Sequence, residues 1–251
     1  MTDESHFIDG IFNYCDRWCE RCPFTARCRL YAMEKADAEA DPATRDINNA
    51  AFWEKMADNF AQAIAQLKQL AAERGVDLNE IAAEPPKSKR KKNPFARPAM
   101  KYLRWVDRWI KARTGSFKRK RNELVSAARM QLPGANPLGE AHELKDAFEV
   151  IQWYQHFIFV KLARAWSGKD DDTLLDDDGQ PFPRDDEGSA KVALIAIDRS
   201  LAAWSRLRTH FPEKADELLD VLVHLEKLRR QVEATFPTAR AFRRPGFDEV
   251  R

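Results

Sequence analysis

The sequence predicts an all-α protein, and three observations support this prediction. Only 9 glycines and 13 prolines occur in 251 residues, too few for the many tight turns of a β-sandwich or barrel. Long stretches are dominated by alanine, leucine, glutamate, lysine and arginine, which favour helices. Apolar residues also recur at intervals of three and four along several of these stretches. With 44% hydrophobic residues, the chain can bury one sizeable core or two smaller ones.

Residues 1–80 are predicted to form a cysteine-cluster segment followed by a long helix. Aromatic residues and cysteines crowd residues 7–38, and Asp41-Pro42 then marks a break. We expect one helix from about Arg45 to Arg74, ended by Gly75 as its C-terminal cap. Its apolar positions recur at helical spacing: Trp53, Met56, Phe60, Ile64, Leu67 and Ala71.

Residues 81–97 are predicted to be a basic, proline-rich linker. Five cations fall between Lys87 and Lys92, and prolines stand on either side of them. Such a composition is unable to form a core. The linker therefore separates the cysteine-cluster segment from the rest of the chain.

Residues 98–237 are predicted to pack as a four-helix bundle, followed by a basic C-terminal tail over residues 238–251. The four expected helices run from about Tyr102 towards Leu132 with a bend near Gly115, from 140 to 166, from a cap at Ser189 through the apolar stretch 192–204, and from Pro212 to Thr235. The stretch 192–204 is apolar around nearly its whole circumference, so we place it at the bundle centre.

The four cysteines lie within 14 residues, in a C-x3-C-x2-C-x5-C pattern: Cys15, Cys19, Cys22 and Cys28. On a helix the first three sulfurs would lie along one stripe, and Pro23 would turn the chain to bring Cys28 back. Four thiolates so close in sequence predict a bound metal, either tetrahedral zinc or a [4Fe-4S] cluster.

The spacing favours iron and sulfur. An all-cysteine zinc site usually offers two C-x2-C pairs, whereas here only Cys19 and Cys22 form one. Nearby aromatic residues would exclude water from a cluster, as such cofactors require. Zinc remains the alternative, as a structural ion that folds an interaction module for a protein or a nucleic acid.

The stretch from Cys19 to Met33 resembles two families of [4Fe-4S] proteins. Its Cys-x2-Cys-Pro-x4-Cys spacing, followed by Tyr31-Ala32, is similar to the cluster segment of WhiB-like proteins. The same spacing resembles the cluster loop of endonuclease III and MutY-type glycosylases. The resemblance covers these 15 residues and implies cluster ligation by Cys19, Cys22 and Cys28, with Cys15 as the fourth ligand.

A third hypothesis is an enzyme that uses a buried Asp/His pair in the bundle. Asp198 is the acid embedded in the apolar stretch 192–204, so it must either stay protonated or find a partner, for which we consider His156 or Arg164. Glu149 and His156, with His142, share one helix face at intervals of seven residues and are the other weak candidates for catalysis or metal binding. Opposite that face lie apolar residues, which favours an ordinary solvated surface.

The remaining features concern partners and location. A net charge of +2 neither requires nor excludes a nucleic-acid partner, although the basic runs Lys87 to Lys92 and Lys118 to Arg121 could contact phosphates. No apolar run reaches the length of a membrane span, and cysteines confined to one short stretch favour a reducing cytoplasm. We therefore expect a cytoplasmic protein that uses its cluster for electron transfer or for sensing oxygen, nitric oxide or redox state with a protein partner.

Overall fold

The computed structural model describes residues 6–39, 41–75, 92–112, 114–131, 134–169 and 184–248. Within these ranges all regular structure is helical, with seven α-helices, several short 3-10 turns and no strand. The predicted all-α class is therefore confirmed. No helix in the described ranges combines the length and apolar character needed to cross a membrane.

The chain divides into two compact units. The smaller unit comprises Met1–Phe7 and Pro23–Lys92, and the larger unit comprises Ile8–Cys22 and Asn93–Arg251. Most of the predicted linker, residues 81–91, lies outside the described residues. Its C-terminal end is structured, because Phe95 is fully buried and the next helix begins at Ala96.

The smaller unit contains helices α1 (Arg29–Glu39) and α2 (Ala50–Glu73). Helix α2 begins later than the predicted Arg45 because the side chain of Asn49 accepts a hydrogen bond from the backbone N–H of Ala51 and caps the helix. Within this unit Lys55 and Asp37 form an ion pair of 3.1 Å that links the two helices. The apolar side of α2 is more than half exposed at Trp53, Phe60, Ile64, Leu67 and Leu70.

The larger unit contains five helices: α3 (Ala96–Ala112), α4 (Thr114–Met130), α5 (Pro137–Gly168), α6 (Asp185–His210) and α7 (Ala215–Thr235). Two of them, α3 and α4, correspond to the single bent helix that the sequence predicts. Helices α5 and α6 make the most extensive contact, α7 packs on α6, and α3 packs on α5 and α7.

Helix α6 lies at the centre of this unit, as its apolar circumference predicts. Leu194, Ile197 and Trp204 are fully buried. The indole N–H of Trp204 donates a hydrogen bond of 3.1 Å to the hydroxyl of Tyr102 on α3, which satisfies both polar groups in the core. Ser189 does not cap this helix: it is buried one turn inside, and the helix begins at Asp185 with three acidic residues in its first turn.

Residues 239–248, at the end of the described chain, pack against α6 and against the N-terminal part of the same unit. The ring of Phe242 lies 4.7 Å from the ring of Tyr14 in an edge-to-face arrangement. On α6, Lys191 donates to the carbonyl of Phe242 and forms an ion pair of 2.8 Å with Asp248. Gly246 has φ +73, and a Cβ at this position would lie 2.9 Å from Ile8. The basic residues of this segment are therefore part of the folded unit.

Candidate metal centre

Cys15, Cys19 and Cys22 lie on irregular backbone of the larger unit and not on the single helix expected from their spacing. Short 3-10 turns cover Ile11–Tyr14 and Cys19–Arg21, and Cys15 itself is extended. Between them Arg17 has φ +60, a left-handed conformation that is unusual for a residue with a side chain. Because the backbone here is not one continuous α-helix, the three sulfurs do not share a helical stripe.

Two aromatic rings anchor this loop to α5. Trp18 stacks on Trp153, with ring centroids 4.9 Å apart and planes inclined by 14°. The guanidinium of Arg21 also packs over the ring of Trp18, 4.0 Å from the ring centroid. Arg21 also bonds to Asp146 and Glu149 on α5, at 2.5 Å each. Stacking and charge together hold the backbone between Cys15 and Cys22 against the helix.

Asp16, two residues before Trp18, provides a second anchor. Its Oδ2 accepts hydrogen bonds of 2.6 Å from the hydroxyl of Tyr154 and from the guanidinium of Arg199. Its backbone carbonyl accepts a 3.0 Å bond from the indole of Trp153. Burial strongly raises the pKa of Tyr154, and the nearby Asp16 carboxylate raises it further. The hydroxyl of Tyr154 therefore remains a hydrogen-bond donor at physiological pH.

The thiol of Cys15 is half-buried near a buried amine. Its Sγ donates a 3.4 Å hydrogen bond to the carbonyl of Phe12. Burial raises the pKa of Cys15, while the positive charge of Lys161 opposes this effect. Lys161 is only 8% exposed, and it donates to the carbonyl of Asn13 at 3.4 Å. Burial outweighs this charge, so the pKa of Cys15 lies above its ordinary value, and burial likewise lowers the pKa of Lys161.

Cys28 belongs to the smaller unit and is described with it. A 3-10 turn over Thr25–Arg27 precedes it, and its carbonyl accepts from the N–H of Ala32 at the start of α1. In the same unit the imidazole of His6 donates to the carbonyl of Ala26 at 3.0 Å. Like the other three cysteines, Cys28 is a half-buried thiol outside any disulfide.

The described residues do not by themselves form a complete metal site. Among the described residues, no three or more histidine, cysteine, aspartate or glutamate side chains are grouped so that they could hold a metal ion. This result includes the other predicted face, on α5. There Glu149 and Asp146 are paired with Arg21, and Asp146 also pairs with Arg206 at 3.1 Å.

Asp198 is not the buried partner of His156 or Arg164 that the sequence suggested. Its carboxylate is about one third exposed and bonds to Arg240 at 2.6 Å and to Arg229 at 3.4 Å. Arg164 instead pairs with Asp185 at 2.6 Å, and His156 is exposed on α5. The helix that carries Asp198 is buried on most sides, but this position faces the edge where α7 and the C-terminal segment supply arginines.

Sequence reasoning missed the residues that position the cysteine loop. Asp16, Tyr154 and Arg199 form one network across more than a hundred residues of chain, and no local pattern indicates such pairing. Lys161 carried a usable signal, because it is a lone cation within the apolar run from Phe157 to Leu162. Of the predicted basic runs, Arg119 pairs with Glu213 and Lys120 with Glu140, so that run is partly neutralised.

Comparison of the chain with protein-family models, with curated proteins and with solved structures finds no match.

Proposed function

We propose that this protein binds a [4Fe-4S] cluster through Cys15, Cys19, Cys22 and Cys28 and uses it for electron transfer or for sensing oxygen, nitric oxide or redox state. The observation that carries the proposal is the loop that bears the first three cysteines. It is fixed on both sides of Trp18, by the Asp16 network and by the Arg21 ion pairs. The participation of Cys28 rests on its sequence spacing.

The donor set fits the proposed cofactor. Four reduced thiols are soft ligands of the kind that iron-sulfur clusters and zinc require, and each is half-buried. The left-handed backbone at Arg17 adds to this argument, since such a conformation costs free energy and persists only where surrounding contacts enforce it. Here the enforcing contacts are those of Asp16 and Trp18, so the strained turn is located between two proposed ligands.

The surroundings suit a cluster, and the preference over zinc rests on the cysteine spacing. Trp18 stacks on Trp153 and forms an aromatic wall with it, and Lys161 bonds to the carbonyl of Asn13, two residues before Cys15. A low-dielectric wall and a nearby positive charge are the means by which proteins tune the potential of a cluster and stabilise its negative thiolate ligands. When bound, the cluster would supply one-electron chemistry. The residues of this chain would hold it, exclude water and adjust its charge.

A cytoplasmic location and a protein redox or regulatory partner are parts of the same proposal. Thiol ligands that stay reduced require a reducing compartment. The enzyme hypothesis receives no support from the arrangement of Asp198, because two arginines bind its carboxylate and His156 is exposed elsewhere.

Anaerobic purification followed by iron, sulfide and zinc analysis tests the proposal. We expect a brown protein with about four iron and four sulfide per chain. Each of the variants Cys15→Ser, Cys19→Ser, Cys22→Ser and Cys28→Ser should lose most of this iron. The matched control Thr25→Ala alters the same stretch without removing a thiol and should keep it.

Three results would contradict the proposal. Stoichiometric zinc without iron would replace the cluster with a structural zinc module. Protein without any transition metal would remove the metal centre altogether. Full iron content in Cys28→Ser would remove that residue as a ligand, and equal iron loss in Thr25→Ala would show that the measurement reports folding and not ligation.

A further inference from the structure

Helix α3 carries a continuous stripe of cations along its solvent side. Arg97, Lys101, Arg104, Arg108 and Lys111 follow one another at intervals of four and three residues, and all five are exposed. These intervals place them on one face of an α-helix over about 21 Å, at a rise of 1.5 Å per residue. The stripe belongs entirely to the larger unit and is independent of the proposed metal centre.

Four of the five cations of this basic stripe have no acidic partner among the described residues. In the part of the chain that the structure describes, Arg97, Lys101, Arg104 and Arg108 form no ion pair; the guanidinium of Arg108 donates to the backbone carbonyl of Arg104 at 3.3 Å. They line a surface groove in which Asp107 is the one carboxylate. Exposed basic residues are normally balanced by nearby acids, so four such residues in a row create a local positive field.

The opposite face of α3 determines what kind of partner the stripe suits. Ala99, Tyr102, Val106 and Trp109 are buried in the core. A helix that lies within the surface of a membrane inserts a free apolar face among the lipids, and α3 has already used its apolar face in folding. The stripe therefore presents charge without an insertion surface, which favours a polyanion in water.

We propose that the basic stripe of α3 binds the phosphodiester backbone of double-stranded nucleic acid without reading its sequence. Its length of about 21 Å matches the axial rise of about six nucleotides of one strand, at 3.4 Å each. No phenylalanine, tyrosine or tryptophan is among the residues that line the groove, so it lacks the large stacking platforms on which single-stranded bases rest. His224, at the groove edge, is already engaged with the carbonyl of Pro98 at 2.9 Å.

The binding would be electrostatic and strongly dependent on salt. If four cations each contact one phosphate, the logarithm of the association constant should fall with the logarithm of salt concentration with a slope of about −3.6. Because these contacts go to the backbone, different duplex sequences should bind with nearly equal affinity.

Fluorescence anisotropy with labelled 20-base-pair DNA and RNA duplexes tests this proposal on the full chain. The variant Arg97→Gln/Lys101→Gln/Arg104→Gln/Arg108→Gln should bind at least tenfold more weakly at low salt and lose most of the salt slope. The control Lys118→Gln/Arg119→Gln/Lys120→Gln/Arg121→Gln changes the net charge equally on α4 and should bind within threefold of the unsubstituted protein. Lys87 to Lys92 stay unchanged in both, so that any difference arises from the helices.

The proposal is supported if either duplex binds and the α3 variant loses affinity while the α4 control does not. The duplex that binds more tightly, DNA or RNA, identifies the source of the phosphates. If the quadruple variant does not fold, as judged by circular dichroism, the pairs Arg97→Gln/Lys101→Gln and Arg104→Gln/Arg108→Gln should each lower the slope by about two. The proposal is overturned if the unsubstituted protein binds neither duplex, if the α4 control loses as much affinity, or if phosphatidylserine vesicles or single strands are bound in preference.

Discussion

Gly188, near the start of α6, is the position at which the docking of the N-terminal segment can be tested most directly. A Cβ built on this glycine would lie 2.3 Å from Cε1 of Tyr14 and 2.8 Å from Cζ of Phe242. Ordinary contacts between carbon atoms are about 3.5 to 4.0 Å. The substitution Gly188→Ala therefore requires the ring of Tyr14, which immediately precedes Cys15, to move by about 1 Å or more.

Two opposing effects set the expected magnitude. Alanine is favoured over glycine within a helix by about 1 kcal/mol. Against this, overpacking a core site costs about 1 to 3 kcal/mol and occasionally more, and displacing the edge-to-face pair of Tyr14 and Phe242 costs about 0.5 to 1.5 kcal/mol. We expect Gly188→Ala to lower the free energy of unfolding by about 1 to 3 kcal/mol, which corresponds to a decrease in Tm of roughly 3 to 10 °C.

The control is Gly115→Ala on α4, where a Cβ would meet no atom within 4 Å. This variant should be as stable as the unsubstituted protein or more stable by up to about 1 kcal/mol. Urea unfolding followed by tryptophan fluorescence suits the measurement, because all tryptophans except Trp53 lie in the larger unit. Equal stability of the two alanine variants would refute the close packing of Tyr14 on α6.

Two further predictions concern the response of the larger unit to pH. Burial raises the pKa of Tyr102 to about 12, above its value in the unfolded chain, so its contribution to stability is complete below about pH 10 and is lost between about pH 10 and 12. Tyr102→Phe should reduce this alkaline loss of stability, and at pH 7 it should lower the free energy of unfolding by about 1 to 3 kcal/mol because Trp204 loses its buried acceptor. Urea titrations at pH 7 and 11 measure both effects. An unchanged alkaline profile would contradict the role of Tyr102 in the loss of stability at high pH. Burial alone would raise the pKa of Asp248, but bonds from Arg244 and Lys191 outweigh it and hold the pKa far below its usual range. A carboxylate with a depressed pKa stabilises the fold at pH values above its pKa in the unfolded chain, so Asp248→Asn should be destabilising at pH 7. The difference in the free energy of unfolding from the unsubstituted protein should shrink as the pH falls below about 4. A difference that does not change with pH would indicate lost packing and not lost charge.

Local sequence patterns were sufficient for the fold class and for several helices. The predicted helices from 140 to 166 and from Pro212 to Thr235 correspond closely to α5 and α7. Helical periodicity and propensity depend on residues three or four positions apart, so the sequence shows them directly. The same reasoning was wrong for residues 15 to 22, where helical spacing of the cysteines was present but Asp16 and Trp18 are bound to distant helices.

The sequence by itself determined that this chain is helical, where its cysteines lie, and that the stretch from 192 to 204 is central to the core. Only the tertiary structure decided which charges meet: Asp16 pairs with Tyr154 across 138 positions and Arg21 with Asp146 across 125, while Asp198 finds Arg240 and not His156. It also decided that Arg97, Lys101, Arg104 and Arg108 on α3 find no acidic partner within the described ranges, while the cations of α4 are partly paired. The physical reason is that ion pairs and ring contacts form between side chains that packing brings together. A stretch of sequence that contains only one helix does not show which other helix will lie beside it.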